Sequence, residues 1–165
     1  MSFEQEVQIT RADLARTKEI VSLGEPALIE TGVFHLAYLK RLVDKEKGKE
    51  KEELYLKLKK EYFSLFSRLP HLIIFIDTKP EVSWRRRRRD YRARVEKTVE
   101  EKGGRVRELM RKYKDNRFEL YGYFKKLYKD LPLQKVLVEN NYRKEKRFLK
   151  KIEKLLQATL RTIND

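Results

Sequence analysis

Apolar positions recur at helical spacing over residues 3–23. Phe3, Val7, Thr10, Leu14, Thr17 and Val21 fall three and four apart, and Gly24 stands where a helix-closing glycine belongs. Pro26 then opens a short apolar run, Ala27-Leu28-Ile29, ending in Glu30. Such a run predicts a buried strand that delivers a carboxylate at its C-terminal end. A second helix is predicted over about residues 33–43. The charged stretch 44–53, with Gly48 inside it, reads as an exposed connection or a helix extension. Leu54, Leu58, Tyr62, Leu65, Phe66 and Leu69 predict an amphipathic helix that Pro70 stops.

Residues 71–77, His-Leu-Ile-Ile-Phe-Ile-Asp, change the pattern. The run is continuously apolar rather than alternating, which predicts a strand of a parallel sheet buried on both faces. Pro80 suits the first turn of the helix that follows, with Asp77 expected to cap the turn before it. That helix carries an arginine run and fades at Gly103-Gly104. Two further helices are predicted, over about 105–114 and 117–130, then a third strand over 134–138 and a closing helix over about 142–162. Strands alternating with helices predict a single α/β domain over 1–165 with a parallel sheet and flanking helices. Three strands leave open edges and cover little core. The expectation is therefore an incomplete sheet, its missing strands lying upstream of Met1 or supplied by a partner chain or a second copy.

Composition narrows the chemistry. The chain has no cysteine, so disulfides, thiolate metal sites and a cysteine nucleophile are excluded. His35 and His71 lie far apart with no acidic ligand spacing, and no metal site is expected. Residues 72–76 form the longest apolar run, far short of the ~20 residues that span a bilayer. The N-terminus carries Glu4 and Glu6 and no apolar run. A cytoplasmic, soluble protein without membrane insertion is the expectation. The net charge of +15 is unevenly placed: residues 1–67 hold 12 Lys/Arg and 12 Asp/Glu, whereas 68–165 hold 29 against 14. Charge concentrated in this way faces phosphate, as nucleotide, nucleic acid or anionic surface, or else forms a solvated helix face.

The most distinctive segment joins the apolar strand to the basic helix: Asp77-Thr-Lys-Pro80-Glu-Val-Ser-Trp84, then Arg85 to Arg89, Asp90-Tyr91-Arg92-Ala93-Arg94. It resembles the strand-to-lid segment of P-loop nucleoside and nucleotide kinases of the deoxynucleoside kinase and thymidylate kinase type. The resemblance implies a three-layer P-loop kinase-like sheet, incomplete here, with residues 84–104 as a basic lid. It implies ATP and Mg2+ as the complete protein's cofactors and a nucleoside or nucleotide as substrate. Gln5, Gln8 and Arg11 resemble the residues of the substrate-reading helix. Glu30 resembles the acidic residue that acts as general base or organises magnesium, although Thr31 stands where the family places arginine. Arg86 matches the first lid-helix arginine and carries catalytic weight in this reading, with Arg85, Arg89, Arg92 and Arg94 facing phosphate. Residues 118–128 resemble the helix after the lid.

No Gly-x-x-x-x-Gly-Lys-Ser/Thr occurs in the chain. The chain thus resembles the C-terminal portion of such a kinase, expected to be inactive alone. An incomplete sheet and an absent phosphate loop point the same way, and a P-loop-bearing partner chain is the corollary. Planar guanidinium forks suit phosphate oxygens. At 100° per residue, however, Arg85 to Arg89 surround a helix axis. Arg86 and Arg89 share one face, and Arg85, Arg88 and Arg92 another, so two or three of the seven are expected to meet phosphate. A second function class fits the same charge. Residues 84–130 hold 18 Lys/Arg against 8 Asp/Glu, with Tyr91, Tyr113, Tyr121 and Tyr123 interleaved. That composition suits a non-catalytic protein binding RNA or single-stranded DNA. Trp84 reads as a core anchor, and Tyr121, Tyr123, Phe124 and Tyr128 read as packing residues.

Overall fold

A computed structural model describes residues 2–24, 32–67, 73–140 and 145–164. In chain order these form α1 (Phe3–Ser22), a 3-10 turn (Gly32–Phe34), α2 (His35–Glu46), α3 (Lys49–Phe66), β1 (Ile73–Asp77), α4 (Pro80–Lys102), α5 (Val106–Asp130), β2 (Lys135–Glu139) and α6 (Glu145–Asn164). The chain divides into two compact units. Unit 1 comprises Met1–His71 and Tyr123–Gln134, and unit 2 comprises Leu72–Gly122 and Lys135–Asp165.

Unit 1 is helix packed on helix. α1 starts with a capping box: the Ser2 N–H donates to Gln5 Oε1 at 2.9 Å and the Gln5 N–H donates to Ser2 Oγ at 3.3 Å. Its inward face, Phe3, Glu6, Val7, Thr10, Leu14 and Thr17, packs on α2 and α3. Leu36, Leu39 and Val43 of α2 and Tyr55, Leu58 and Tyr62 of α3 complete the core with Leu127 and Leu131. Between α2 and α3 the backbone turns at Lys47 (φ 45°) and Gly48 (φ 155°), conformations that disfavour a Cβ. The charged 44–53 stretch is thus helix at both ends.

Unit 2 holds the two strands. β1 and β2 pair in parallel, with Ile73 beside Lys135 and Asp77 beside Glu139. Phe75 and Val138 are buried, whereas Ile76 is 52% exposed, so β1 is not buried on both faces as its apolar run predicts. Pro80 sits at the first turn of α4. Gly103 and Gly104, at φ 75° and 111°, end that helix, and a single helix, α5, replaces the two predicted after it. No Gly or Pro interrupts residues 106–121, and Asp115-Asn116 is too weak a break to stop it.

The expected three-layer kinase-like sheet is not what forms. Among the described residues the sheet has two strands, and helices dominate the rest. The cause lies in unit 1, where each amphipathic helix buries its apolar stripe against another helix and needs no sheet to cover it. Between β1 and β2 the chain makes two long helices instead of further strand–helix repeats. The strand predicted at Ala27–Ile29 and its terminal Glu30 lie outside the described residues.

Candidate functional site

The basic surface is built on α4. Its inward side is set by Tyr91 and Val95, both buried, with Trp84 half-buried two turns before Tyr91 on the same stripe. Those three positions fix the helix rotation, and the arginines fall outside the buried stripe: Arg85, Arg86, Arg87, Arg88, Arg89, Arg92 and Arg94 are all exposed. Positions i, i+3, i+4 and i+7 share one helix face. Arg85, Arg88, Arg89 and Arg92 therefore form one stripe, roughly 10 Å long at 1.5 Å per residue. Among the described residues the Arg85, Arg88, Arg89 and Arg94 side chains make no hydrogen bond or ion pair. Arg92 pairs with Glu96 through Nε at 2.7 Å, but both side chains are largely solvated, so the pair is weak and exchangeable.

Arg86 has a different place. Its Nη1 donates to the Asn140 carbonyl at 3.0 Å, and the Asn140 N–H donates to the Asp77 carbonyl at 2.8 Å. Arg86 thereby ties α4 to the C-terminal ends of the parallel strands. The N-cap residue of α4, Lys79, makes no side-chain cap, and the Asp77 carboxylate accepts from the Tyr121 hydroxyl at 2.8 Å. Burial and this bond, with the nearby carboxylates of Glu81 and Glu139, push the Tyr121 phenol up to about 12. Tyr121 is more than a packing residue: it holds α5 to the strand end.

Beside the stripe lies an aromatic and guanidinium cluster. Trp84 stacks on Tyr91, with centroids 5.5 Å apart and planes at 13°, and Tyr113 of α5 approaches the same ring at 6.2 Å. The Arg87 and Arg117 guanidiniums lie 5.8 and 5.1 Å from the Tyr91 centroid. The Tyr91 hydroxyl is buried without a partner among the described residues. Of the four interleaved tyrosines, Tyr91 is buried, Tyr121 serves Asp77, and Tyr123 donates to Asp44 in unit 1 at 3.0 Å. Of the four, only Tyr113 is exposed.

The predicted substrate-reading residues belong to unit 1. Gln5 is the helix-capping partner of Ser2, and Gln8 and Arg11 are exposed on α1. Glu30 lies outside the described residues. Sequence reasoning missed Glu6, a fully buried carboxylate whose Oε1 lies 2.8 Å from His35 Nδ1, while Oε2 has no partner among the described residues. The signal was available, since Glu6 falls three residues after Phe3 and four before Thr10, inside the buried stripe. The hydrogen bond to Glu6 raises the His35 pKa, against partial desolvation. Nearby, Thr10 Oγ1 donates to the Glu6 carbonyl at 2.7 Å. The Tyr62 hydroxyl sits 2.9 Å from Asp13 Oδ2 and 3.2 Å from the Thr10 carbonyl.

Asp77 and Glu139 sit side by side at the C-terminal ends of the parallel strands, and Arg86 is engaged with Asn140. No group of three or more His, Asp or Glu is placed to hold a metal among the described residues. No helix among them is long and apolar enough to cross a membrane. Comparison with protein-family models, with curated proteins and with solved structures found no match for the chain.

Proposed function

We propose that the protein binds nucleic acid, RNA or single-stranded DNA, without catalysis, by setting the α4 arginine stripe against a phosphate backbone. The observation that carries this reading is the stripe itself: four exposed guanidiniums on one helix face, three of them unpaired among the described residues. A solvated helix face of ordinary composition intersperses acids with its bases. Here five consecutive arginines leave Glu96, at the far end of the stripe, as the one acid paired to it among the described residues. Guanidinium forks meet phosphate oxygens two at a time, and each contact releases counterions from the polyanion. A line of cations one side chain wide follows a single backbone. The phosphate-facing part of the kinase resemblance is kept in this reading; its catalytic part is not, because the chain has no Gly-x-x-x-x-Gly-Lys-Ser/Thr to cradle the transferred phosphates.

Fluorescence anisotropy with a labelled single-stranded oligonucleotide at low salt tests the proposal. The wild type binds, and the combined Arg85→Gln, Arg88→Gln, Arg89→Gln and Arg92→Gln variant loses roughly fiftyfold or more in affinity. Equal binding by the two proteins, or no binding by the wild type at low salt, overturns it.

A further inference from the structure

We infer that Tyr113 stacks on a nucleobase and so makes unit 2 selective for single strands over duplex, an inference that rests on the phosphate-binding reading above. The ring is 39% exposed, on α5, and among the described residues its one ring contact is the tilted approach to Tyr91. The other aromatic rings of the cluster are taken: Trp84 and Tyr91 stack on each other, and Tyr91 also carries the Arg87 and Arg117 guanidiniums. Tyr113 thus stands at the open end of a packed aromatic series, with free ring surface where the series meets solvent.

Its surroundings supply what a nucleotide unit needs besides a ring. Arg117 lies one turn further along α5, on the face of Tyr113, and its guanidinium is held against Tyr91. On α4, Tyr91 falls between Arg88 and Arg92 in the chain, so the ring that Tyr113 meets is rooted beside the arginine stripe. A base on Tyr113 and its phosphate on the neighbouring guanidiniums form one repeating unit of a single strand. Stacking on an aromatic ring tolerates every base, because each has a π-face, and it requires an unpaired, splayed base. A duplex keeps its bases inside, so it meets the arginines and not the tyrosine. The Tyr91 hydroxyl, buried and without a hydrogen-bond partner among the described residues, belongs to the ring that Tyr113 approaches.

The experiment compares single-stranded and duplex oligonucleotides of one sequence, in RNA and DNA arms, against the wild type and Tyr113→Ala, Tyr113→Leu and Tyr113→Phe. Emission of Trp84, the one tryptophan of the chain, reports whether unit 2 of each variant is folded. The expected result is a loss of roughly tenfold in single-strand affinity for Tyr113→Ala and Tyr113→Leu. Tyr113→Phe keeps the affinity, and duplex binding is the same in all four proteins. Tyr113→Leu retains apolar bulk without a π-face, so it keeps the test decisive if Tyr113→Ala fails to fold. If Tyr113→Leu binds single strands like the wild type while the four-glutamine variant loses binding, the stacking role is wrong and phosphate binding stands. If duplex affinity falls in parallel with single-strand affinity, Tyr113 acts through packing and selectivity is refuted. Absence of wild-type binding to any of these oligonucleotides sinks the underlying reading instead.

Discussion

The two units are held together by different means. Among the described residues, unit 1 buries 13 apolar side chains and unit 2 buries five. Charge runs the other way: unit 1 carries 16 Lys/Arg against 13 Asp/Glu, and unit 2 carries 25 against 13. Unit 1 spends its polar groups inside, on the Glu6–His35 and Tyr62–Asp13 pairs, whereas unit 2 keeps the Arg85, Arg88 and Arg89 side chains exposed and unpaired among the described residues. A helical unit with a full core and balanced charge suits a scaffold. A unit with a sparse core and a self-repelling surface gains most from a polyanion, since a ligand that binds only the folded state stabilises it.

Deleting core volume in unit 1 gives the largest expected effect on stability. Leu39 is fully buried, and Leu39→Ala should cost about 3 kcal/mol in urea unfolding while the folded protein binds oligonucleotide as before. A simultaneous loss of affinity would show that the units do not divide their roles in this way. Next comes the polar interior. His35→Ala leaves the Glu6 carboxylate buried and unpaired, at a cost of about 2 kcal/mol, below the range for fully buried pairs because His35 is partly solvated.

That pair also sets a direction with pH. The folded-state pKa of His35 is raised above its ordinary value of 6.5, with Glu6 as the chief cause and Asp13 adding to it. Its contribution is therefore complete below pH 6.5 and is lost as pH rises through the raised value. The wild-type melting temperature should fall from pH 6.5 upwards relative to His35→Gln. Parallel curves for the two proteins would contradict the linkage.

Tyr62→Phe, which removes the hydroxyl bonded to Asp13, should cost about 1 kcal/mol. The smallest effect is expected where the charge is greatest. Each single Arg→Gln substitution in the stripe should move stability by less than about 0.5 kcal/mol, because these side chains are exposed and largely unpaired. A stabilising shift when all four are replaced would sharpen the contrast, as it would report relief of repulsion within α4.

Much of this organisation was legible in the residues. The α1 stripe from Phe3 to Thr17 and the location of the excess charge follow from periodicity and counting. So do the two apolar runs that became β1 and β2. Three features escaped for physical reasons. Glu6 falls inside the α1 stripe, but its partner His35, 29 residues away in sequence, is encoded by no local pattern. The Asp77 contact to Tyr121 of α5 is equally long-range. The three-layer sheet was implied by the kinase resemblance, and the short apolar runs beside it do not say how many neighbours a strand will find. The arginine stripe was half legible: Arg85, Arg88 and Arg92 share a face on any helix. Arg89, four residues after Arg85, joins that face on any helix too, but the turn of Arg86 to Asn140 was not legible.

The salt dependence of oligonucleotide affinity tests the central claim most directly. If Arg85, Arg88, Arg89 and Arg92 neutralise phosphates, a plot of log affinity against log salt falls steeply for the wild type. Its slope should be shallower by about 3 in the four-glutamine variant, from roughly 0.7 per phosphate contact on a single strand. Identical slopes for the two proteins would contradict the account.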